Sequence, residues 1–266
     1  MTFDRHNAQA TYMTVERRLR AKSAALLLSI EARLTRIMFM WFGAAILACA
    51  VRIAASPIHA TPDLSTFLPY ILLIGAPLTS MALALWWFRA GDRLAQPSTR
   101  LAMFGRWRGV DRAEAQRHPL YGSSGIMVSL LVGMLLNVPV RALEYLAAMP
   151  ALTGRVPEWL STLHFAMTLD VVLLTSLYSM AFVAALRRVP LFPRLLVAIW
   201  AVDIVMQVGI ATVVAGTEGL PRDVGEALRT LLDGNVKKVL ISVCLWLPYL
   251  LMSKRVNVTY RHRVEA

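Results

Sequence analysis

Six long apolar stretches constrain the fold of this chain more than any other feature of its sequence. Each is long enough to cross a bilayer as an α-helix, which takes roughly 17 to 25 residues. Only 17% of the residues are charged and 57% are apolar, a composition outside that of ordinary soluble domains. We therefore predict an all-α polytopic membrane helix bundle with six transmembrane helices. The predicted spans are residues 37–55, 66–88, 121–143, 159–186, 191–215 and 236–253.

Lysine and arginine are distributed unevenly between the two sides of such a bundle. If the N-terminus is inside, the cytoplasmic segments hold 21 of the 28 basic residues. This positive-inside bias predicts an N-in, C-in protein of the bacterial inner membrane. The net charge of +12 then favours anionic lipid headgroups at the cytoplasmic face as partners, and not nucleic acid. The segments concerned are 1–36, 89–120, 187–194 and 254–263.

The predicted spans divide the chain into four parts. Residues 1–36 form a basic cytoplasmic segment, 37–88 a two-helix membrane unit, 89–120 a basic connector, and 121–266 a four-helix unit with a short cytoplasmic tail. Helix-like spacing within the first part has two interpretations, an amphipathic helix on the inner leaflet or a solvated leader that only sets orientation. Residues 217–234 are predicted to form a separate short helix ending at Asp233 and Gly234.

The motifs of soluble enzymes are absent from this sequence. It has no phosphate-binding or dinucleotide-binding glycine pattern, no H-E-x-x-H and no Cys or His set at metal-ligand spacing. Residues 122–125 fit the G-x-S-G string of rhomboid serine proteases, but Ser124 and His164 differ by roughly 20 Å in predicted depth, too far for a dyad. We predict a protein that is not an enzyme and uses no cofactor or metal.

Small and polar residues recur every four positions in the third span. Gly125, Ser129 and Gly133 would let another helix approach closely, whether from this chain or from another. Arg141 follows at the predicted outer end with Glu144 three residues later, and we expect these two to form an interfacial ion pair.

Two acids lie near the middle of predicted spans. Asp203 is at the centre of its span, Asp170 about 3 Å outward, Gln207 about 6 Å and Asn137 about 7 Å. An aspartate at mid-membrane costs roughly 2.5 to 3.5 kcal/mol, whereas one interhelical hydrogen bond returns about 0.6 kcal/mol on average. The acids are therefore either a structural clamp with several partners or an ion site. No buried cation is expected at matching depth, so Asp203 is predicted to be neutral near pH 7.

The C-terminal stretch LWLPYLLMSKRVNVTY, residues 245–260, resembles the end of domain of unknown function 2569, a family of small bacterial multi-pass membrane proteins. The chain has Asn257 where the family usually has Lys and Tyr260 where it usually has Phe. The resemblance covers about residues 120–261 and implies four family helices with a cytoplasmic C-terminus, and it carries over no activity. The matching positions include Trp246, Pro248, Tyr249, Ser253, Lys254 and Arg255.

Two hypotheses for function follow from these patterns. The first is a non-enzymatic membrane component that packs with itself or with a partner protein through the small-residue face of the third span. The alternative is a small proton- or cation-coupled transporter that uses Asp170 and Asp203.

Overall fold

Long apolar helices form the body of the molecule in a computed structural model that describes residues 18, 21–57, 61–98, 101 and 105–266. Six of the helices are long and apolar enough to cross a membrane, which confirms the predicted multi-pass helix bundle. The helices are α1 Leu34–Ala55, α2 Leu64–Trp87, α3 Arg112–Arg117, α4 Ile126–Ala148, α5 Glu158–Leu186, α6 Phe192–Ala215, α7 Arg222–Met252 and α8 Lys254–Arg261; two short strands are β1 Trp107–Gly109 and β2 Arg263–Glu265.

Helix α5 lies at the centre of the bundle. Two thirds of its most apolar window (67%) is buried by other parts of the chain, more than in any other spanning helix described. It packs against α2, α4 and α6, and α6 packs in turn against α7. A polar side chain on the buried faces of α4, α5 or α6 is therefore surrounded by protein and not by lipid.

Helix α4 begins five residues later than the sequence pattern predicts. Gly122 and Gly125 have positive φ angles of 101° and 69°, which side-chain-bearing residues rarely adopt, so the chain turns there before the helix starts. The helix then continues to Ala148. This correction places Asn137 at the middle of α4, and Arg141 lies only about 6 Å beyond it, since a helix rises 1.5 Å per residue.

Helix α7 is one continuous helix of 31 residues, and the predicted break at Asp233 and Gly234 is wrong. The N-terminal half of α7 packs on the bundle, where Leu228 and Leu232 are buried in a hydrophobic cluster. At about 1.5 Å per residue the helix is longer than the hydrocarbon core of a bilayer is thick, about 30 Å. Its first turns therefore extend beyond the apolar region.

The segments predicted to lie in the cytoplasm meet at one end of the bundle. Strand β1 of the connector pairs antiparallel with β2 of the C-terminal tail. The backbone N–H of Gly125 donates to Ser23 Oγ at 2.8 Å, and Arg187 forms an ion pair with Glu31 at 3.2 Å. These contacts bring the segments together at one end of the bundle.

The described part of the basic N-terminal segment is helical over residues 21–32. Leu27 and Ile30 pack against the main hydrophobic cluster, while Leu26 and Leu28 are exposed. This helix therefore rests on the bundle through one face. The predicted amphipathic pattern at residues 13–17 and 19–20 lies outside the described residues.

Candidate functional site

Arg141 of α4 connects the two buried acids of α5 and α6. Its guanidinium donates through Nη2 to Asp203 Oδ2, and its Nη1 lies 3.5 Å from Asp170 Oδ2. Its Nε donates to Asn137 Oδ1 at 3.0 Å, and Gln207 Nε2 donates to Asp170 Oδ1 at 3.0 Å. The structure thus brings together all four polar residues predicted from the sequence and adds Arg141 between them. We call these five residues the polar cluster.

Two further side chains contact the polar cluster and were missed by sequence reasoning. Tyr178 of α5 donates its hydroxyl to Asp203 Oδ2 at 3.3 Å, and its ring faces the Arg141 guanidinium at 5.7 Å, within cation–π range. Asn235 of α7 donates to Gln207 Oε1 at 3.2 Å. Asn235 could have been found only by recognising that α7 continues past Asp233.

The polar cluster is nearly sealed from solvent and its charges do not balance. The side chains of Arg141, Asp170 and Asp203 are 13%, 8% and 0% exposed. One guanidinium faces two carboxylates, so the fully ionised set carries one excess negative charge. In addition, Asp203 Oδ1 is buried with no hydrogen-bond partner among the described residues. An unbalanced buried charge is strongly unfavourable, so a proton or small cation bound here would relieve the imbalance of the fully ionised set.

Two sequence predictions about charge are wrong. We expected no cation near the acids, but Arg141 contacts both, because the later start of α4 places Arg141 deeper than the predicted span did. The expected pair of Arg141 with Glu144 also does not form. Glu144 Oε1 instead accepts from Lys238 Nζ of α7 at 2.5 Å on an exposed surface, while the Arg141 side chain turns inward.

A small cleft of about 30 Å³ lies between α4, α5 and α7 beside the polar cluster. A cavity needs at least roughly 10 to 15 Å³ to hold a water molecule, so the cleft is large enough for water. Its most exposed lining residue with a charge is Glu144, whose side chain is 40% exposed. Of the two buried aspartates, Asp170 lines the cleft and Asp203 does not. The lining also includes Arg141, Tyr145, Met167, Val171, Leu231 and Asn235.

The serine and histidine considered for a protease are far apart, as predicted. Ser124 Oγ accepts from Arg255 at 2.7 Å, and its neighbour Ser123 donates to the carbonyl of Ala185 at 3.3 Å. His164 lies 21 residues before Ala185 in α5, about 32 Å along the helix. His164 Nε2 instead lies 3.4 Å from the Tyr145 hydroxyl.

The small-residue face of α4 does not pack against another helix of the described chain. Ser129 and Gly133 are exposed, and apart from its own helix backbone and its chain neighbours no atom of the described residues lies within 4 Å of where a Gly133 Cβ would be. Gly125 precedes the helix and serves its turn. The expectation of close packing within the chain is therefore wrong, because α4 buries its larger apolar residues instead: Met127, Leu131, Met134 and Val138.

The C-terminal signature residues join α7 and the tail to the connector. Ser253 begins α8 as its N-terminal capping residue, and Arg255 donates to the carbonyls of Leu120 and Gly122, each at 3.2 Å. Lys254 forms an exposed ion pair with Glu265 of β2 at 2.7 Å. Within α7, Pro248 lies inside the helix. Nearby, the rings of Trp246 and Tyr249 meet edge to face.

Tyr260 anchors the same tail in the hydrophobic core at this end of the bundle. It is 1% exposed, and its hydroxyl donates to the carbonyl of Ala185 at 2.8 Å. Its ring centroid lies 5.1 Å from that of Phe192. Burial raises the pKa of the Tyr260 hydroxyl, which keeps it protonated as a donor. The C-terminal signature residues described above thus have structural roles, because their contacts hold the tail on the bundle.

Comparison of the chain with protein families, curated proteins and solved structures finds no match. The resemblance of residues 120–261 to domain of unknown function 2569 accordingly stays a prediction.

Proposed function

We propose that this chain is an ion-coupled transport protein of the bacterial inner membrane, with the polar cluster as the site of a proton or a small cation. One observation carries the proposal: two carboxylates share one guanidinium in a nearly sealed site, and Asp203 Oδ1 has no partner among the described residues. Ionisable residues inside membrane spans mark ion pathways and proton relays by default. A bound proton or monovalent cation would balance the charge.

The energetics favour an ion site over a purely structural clamp. A structural clamp between α4, α5 and α6 needs only one acid opposite Arg141, because one carboxylate and one guanidinium already form a neutral pair. A second aspartate at mid-membrane adds a cost of roughly 2.5 to 3.5 kcal/mol, while each added interhelical hydrogen bond returns about 0.6 kcal/mol on average. Arg141 contacts Asp203 more closely, so Asp170 is the second acid; among the described residues it accepts from Gln207 at 3.0 Å and faces Arg141 only at 3.5 Å, too few bonds to offset that cost. A role in binding an ion explains the presence of the second acid better than a structural clamp does.

Asparagine replacements test the proposal in cells without knowledge of the substrate. We expect Asp170→Asn and Asp203→Asn proteins to insert and fold normally but to fail to restore the phenotype of a deletion strain, because an amide neither releases a proton nor brings negative charge to a cation. Ser176→Ala is the matched control, since that hydroxyl bonds only the backbone of its own helix. A stable Asp203→Asn protein with full activity in this assay would contradict the transport proposal.

The N-in, C-in orientation is part of the same proposal. It is supported by the clustering of the basic segments at one end of the bundle, because cytoplasmic loops carry an excess of Lys and Arg. A reporter that is active only outside the cytoplasm should work when inserted after Glu218 and fail after Gly105 or after Ala266. An active reporter after Gly105 would reverse the orientation.

A second candidate function is association with another copy or a partner, and the exposed Ser129 and Gly133 favour it. Gly133→Leu should leave the fold intact, since the space before Gly133 is open, yet weaken assembly by blocking close approach of a second helix. Gly43→Leu on α1 is a matched control, because Gly43 is also exposed with open space before it. Cross-linking in native membranes measures assembly. Equal cross-linking in both variants and the parent would remove this candidate.

A further inference from the structure

We propose that the coupling ion is a proton, that Asp170 receives it, and that it reaches Asp170 through the cleft between α4, α5 and α7. This inference rests on the proposed function of the polar cluster and specifies its ion, its acceptor and its route.

The contacts of the carboxylate oxygens favour a proton over a metal cation. Asp170 Oδ1 accepts from Gln207, and Asp170 Oδ2 faces Arg141. Asp203 Oδ2 accepts from both Arg141 and Tyr178. Only Asp203 Oδ1 lacks a partner in the described chain. Metal cations such as Mg²⁺ and Ca²⁺ take about six to eight ligands, mostly oxygens, more than these carboxylates offer. A proton needs only one carboxylate oxygen, and it can bind there while the Arg141 guanidinium stays in place.

The geometry selects Asp170 as the acceptor. Asp203 is fully buried and bonded to Arg141, while Asp170 lines the cleft and lies at 3.5 Å from Arg141, the longer of the two contacts. Protonation moves a proton from hydronium in the cleft to a carboxylate oxygen of Asp170: one O–H bond of hydronium breaks, one O–H bond forms on Asp170, and a neutral acid and a water molecule result. Arg141 and Asp203 then remain as a balanced pair.

The cleft gives this proton a route from the end of the bundle away from the C-terminal tail. Glu144 is in the last turns of α4, and its ion pair with Lys238 lies at the exposed side of the cleft. The cleft is large enough to hold water, and water in it can pass a proton to Asp170. The described charged and titratable groups around Asp170 are Arg141, Glu144 and Tyr145 from α4, Tyr178 from α5, Asp203 from α6, and Lys238 from α7 through Glu144.

Proton uptake by the full-length chain in oriented lipid vesicles tests the inference. A pH-indicator dye on either side of the membrane records uptake after a jump from alkaline to neutral pH. We expect one proton per chain, taken from the side opposite the tail, and loss of this uptake in Asp170→Asn. Val171→Leu, which adds a methylene beside the cleft, should slow uptake about tenfold, equivalent to about 1.4 kcal/mol of added barrier. Val172→Leu is the matched control, because Val172 faces the groove between α2 and α5.

Each contrary outcome has a distinct meaning once a melting measurement shows that the variants are folded. Uptake that survives in Asp170→Asn, or that comes from the tail side, overturns the inference. Equal rates in Val171→Leu and Val172→Leu overturn the route. A wild-type chain that takes up no proton but binds Na⁺ overturns the choice of ion and leaves the proposed function intact. Failure of the proposed function itself would appear instead as full cellular activity of the asparagine variants.

Discussion

Replacing Asp170 and Asp203 together by asparagine is expected to destabilise the protein by about 3 to 5 kcal/mol, the cost of leaving one buried partner of an ion pair uncompensated. Each single replacement is expected to be mild, because it leaves Arg141 with one carboxylate and brings the polar cluster to neutrality. The double variant leaves the guanidinium with none. Thermal unfolding in mild detergent measures all four proteins of this cycle, and the interaction between the two sites should be large.

A triple variant provides the control for this prediction. Adding Arg141→Met to the double variant removes the uncompensated charge, and replacement of a whole buried ionic set by apolar groups is often neutral or stabilising. Stability should therefore recover. Strictly additive effects of the two asparagine replacements would mean that Asp170 and Asp203 do not share Arg141.

Tyr260→Ala should be the most destabilising single change in the C-terminal tail. Loss of a large buried aromatic side chain typically costs about 3 to 5 kcal/mol, and Tyr260 also bonds the carbonyl of Ala185. Tyr260→Phe keeps the ring and should cost about 0.5 to 1.5 kcal/mol, the net worth of a hydrogen bond. Melting temperature and protease cleavage of the tail measure both effects. Lys254→Ala is the control, since that side chain is 59% exposed.

An equal effect of Tyr260→Ala and Lys254→Ala would contradict the role of Tyr260 as the anchor of the tail. The family resemblance pointed to this stretch of sequence but not to its contacts. Those contacts join residues far apart in the chain, such as Tyr260 and Ala185 or Arg255 and Ser124. A local pattern carries no information about which distant carbonyl or hydroxyl a side chain will meet.

The six-helix architecture was predictable because it depends on hydrophobicity averaged over about 20 residues. Helix ends depend on single residues and were less predictable. The positive φ angles of Gly122 and Gly125 moved α4 by five residues, about 7.5 Å along its axis. That displacement changed Arg141 from a predicted surface charge into the central group of the site.

The orientation of a helix about its own axis was the other limit of prediction. The repeat of Gly125, Ser129 and Gly133 predicted a packing face, yet Ser129 and Gly133 are exposed. In a membrane, lipid tails are as apolar as leucine, so the buried face of a helix is not marked by hydrophobicity alone. The polar residues were more informative, since Asn137, Asp170, Asp203 and Gln207 had to find partners inside the protein.

The most direct test of the central claim is to detect the protonated acid by infrared spectroscopy of the protein in lipid bilayers at neutral pH. If Asp170 and Asp203 share one guanidinium, one of the two carboxyls should be protonated, so the wild type should show a single protonated carboxyl signal. It should disappear in Asp170→Asn and in Asp203→Asn alike, because either replacement lets the remaining carboxylate pair with Arg141. A wild-type protein with no such signal, or a signal that persists in both variants, would contradict the account.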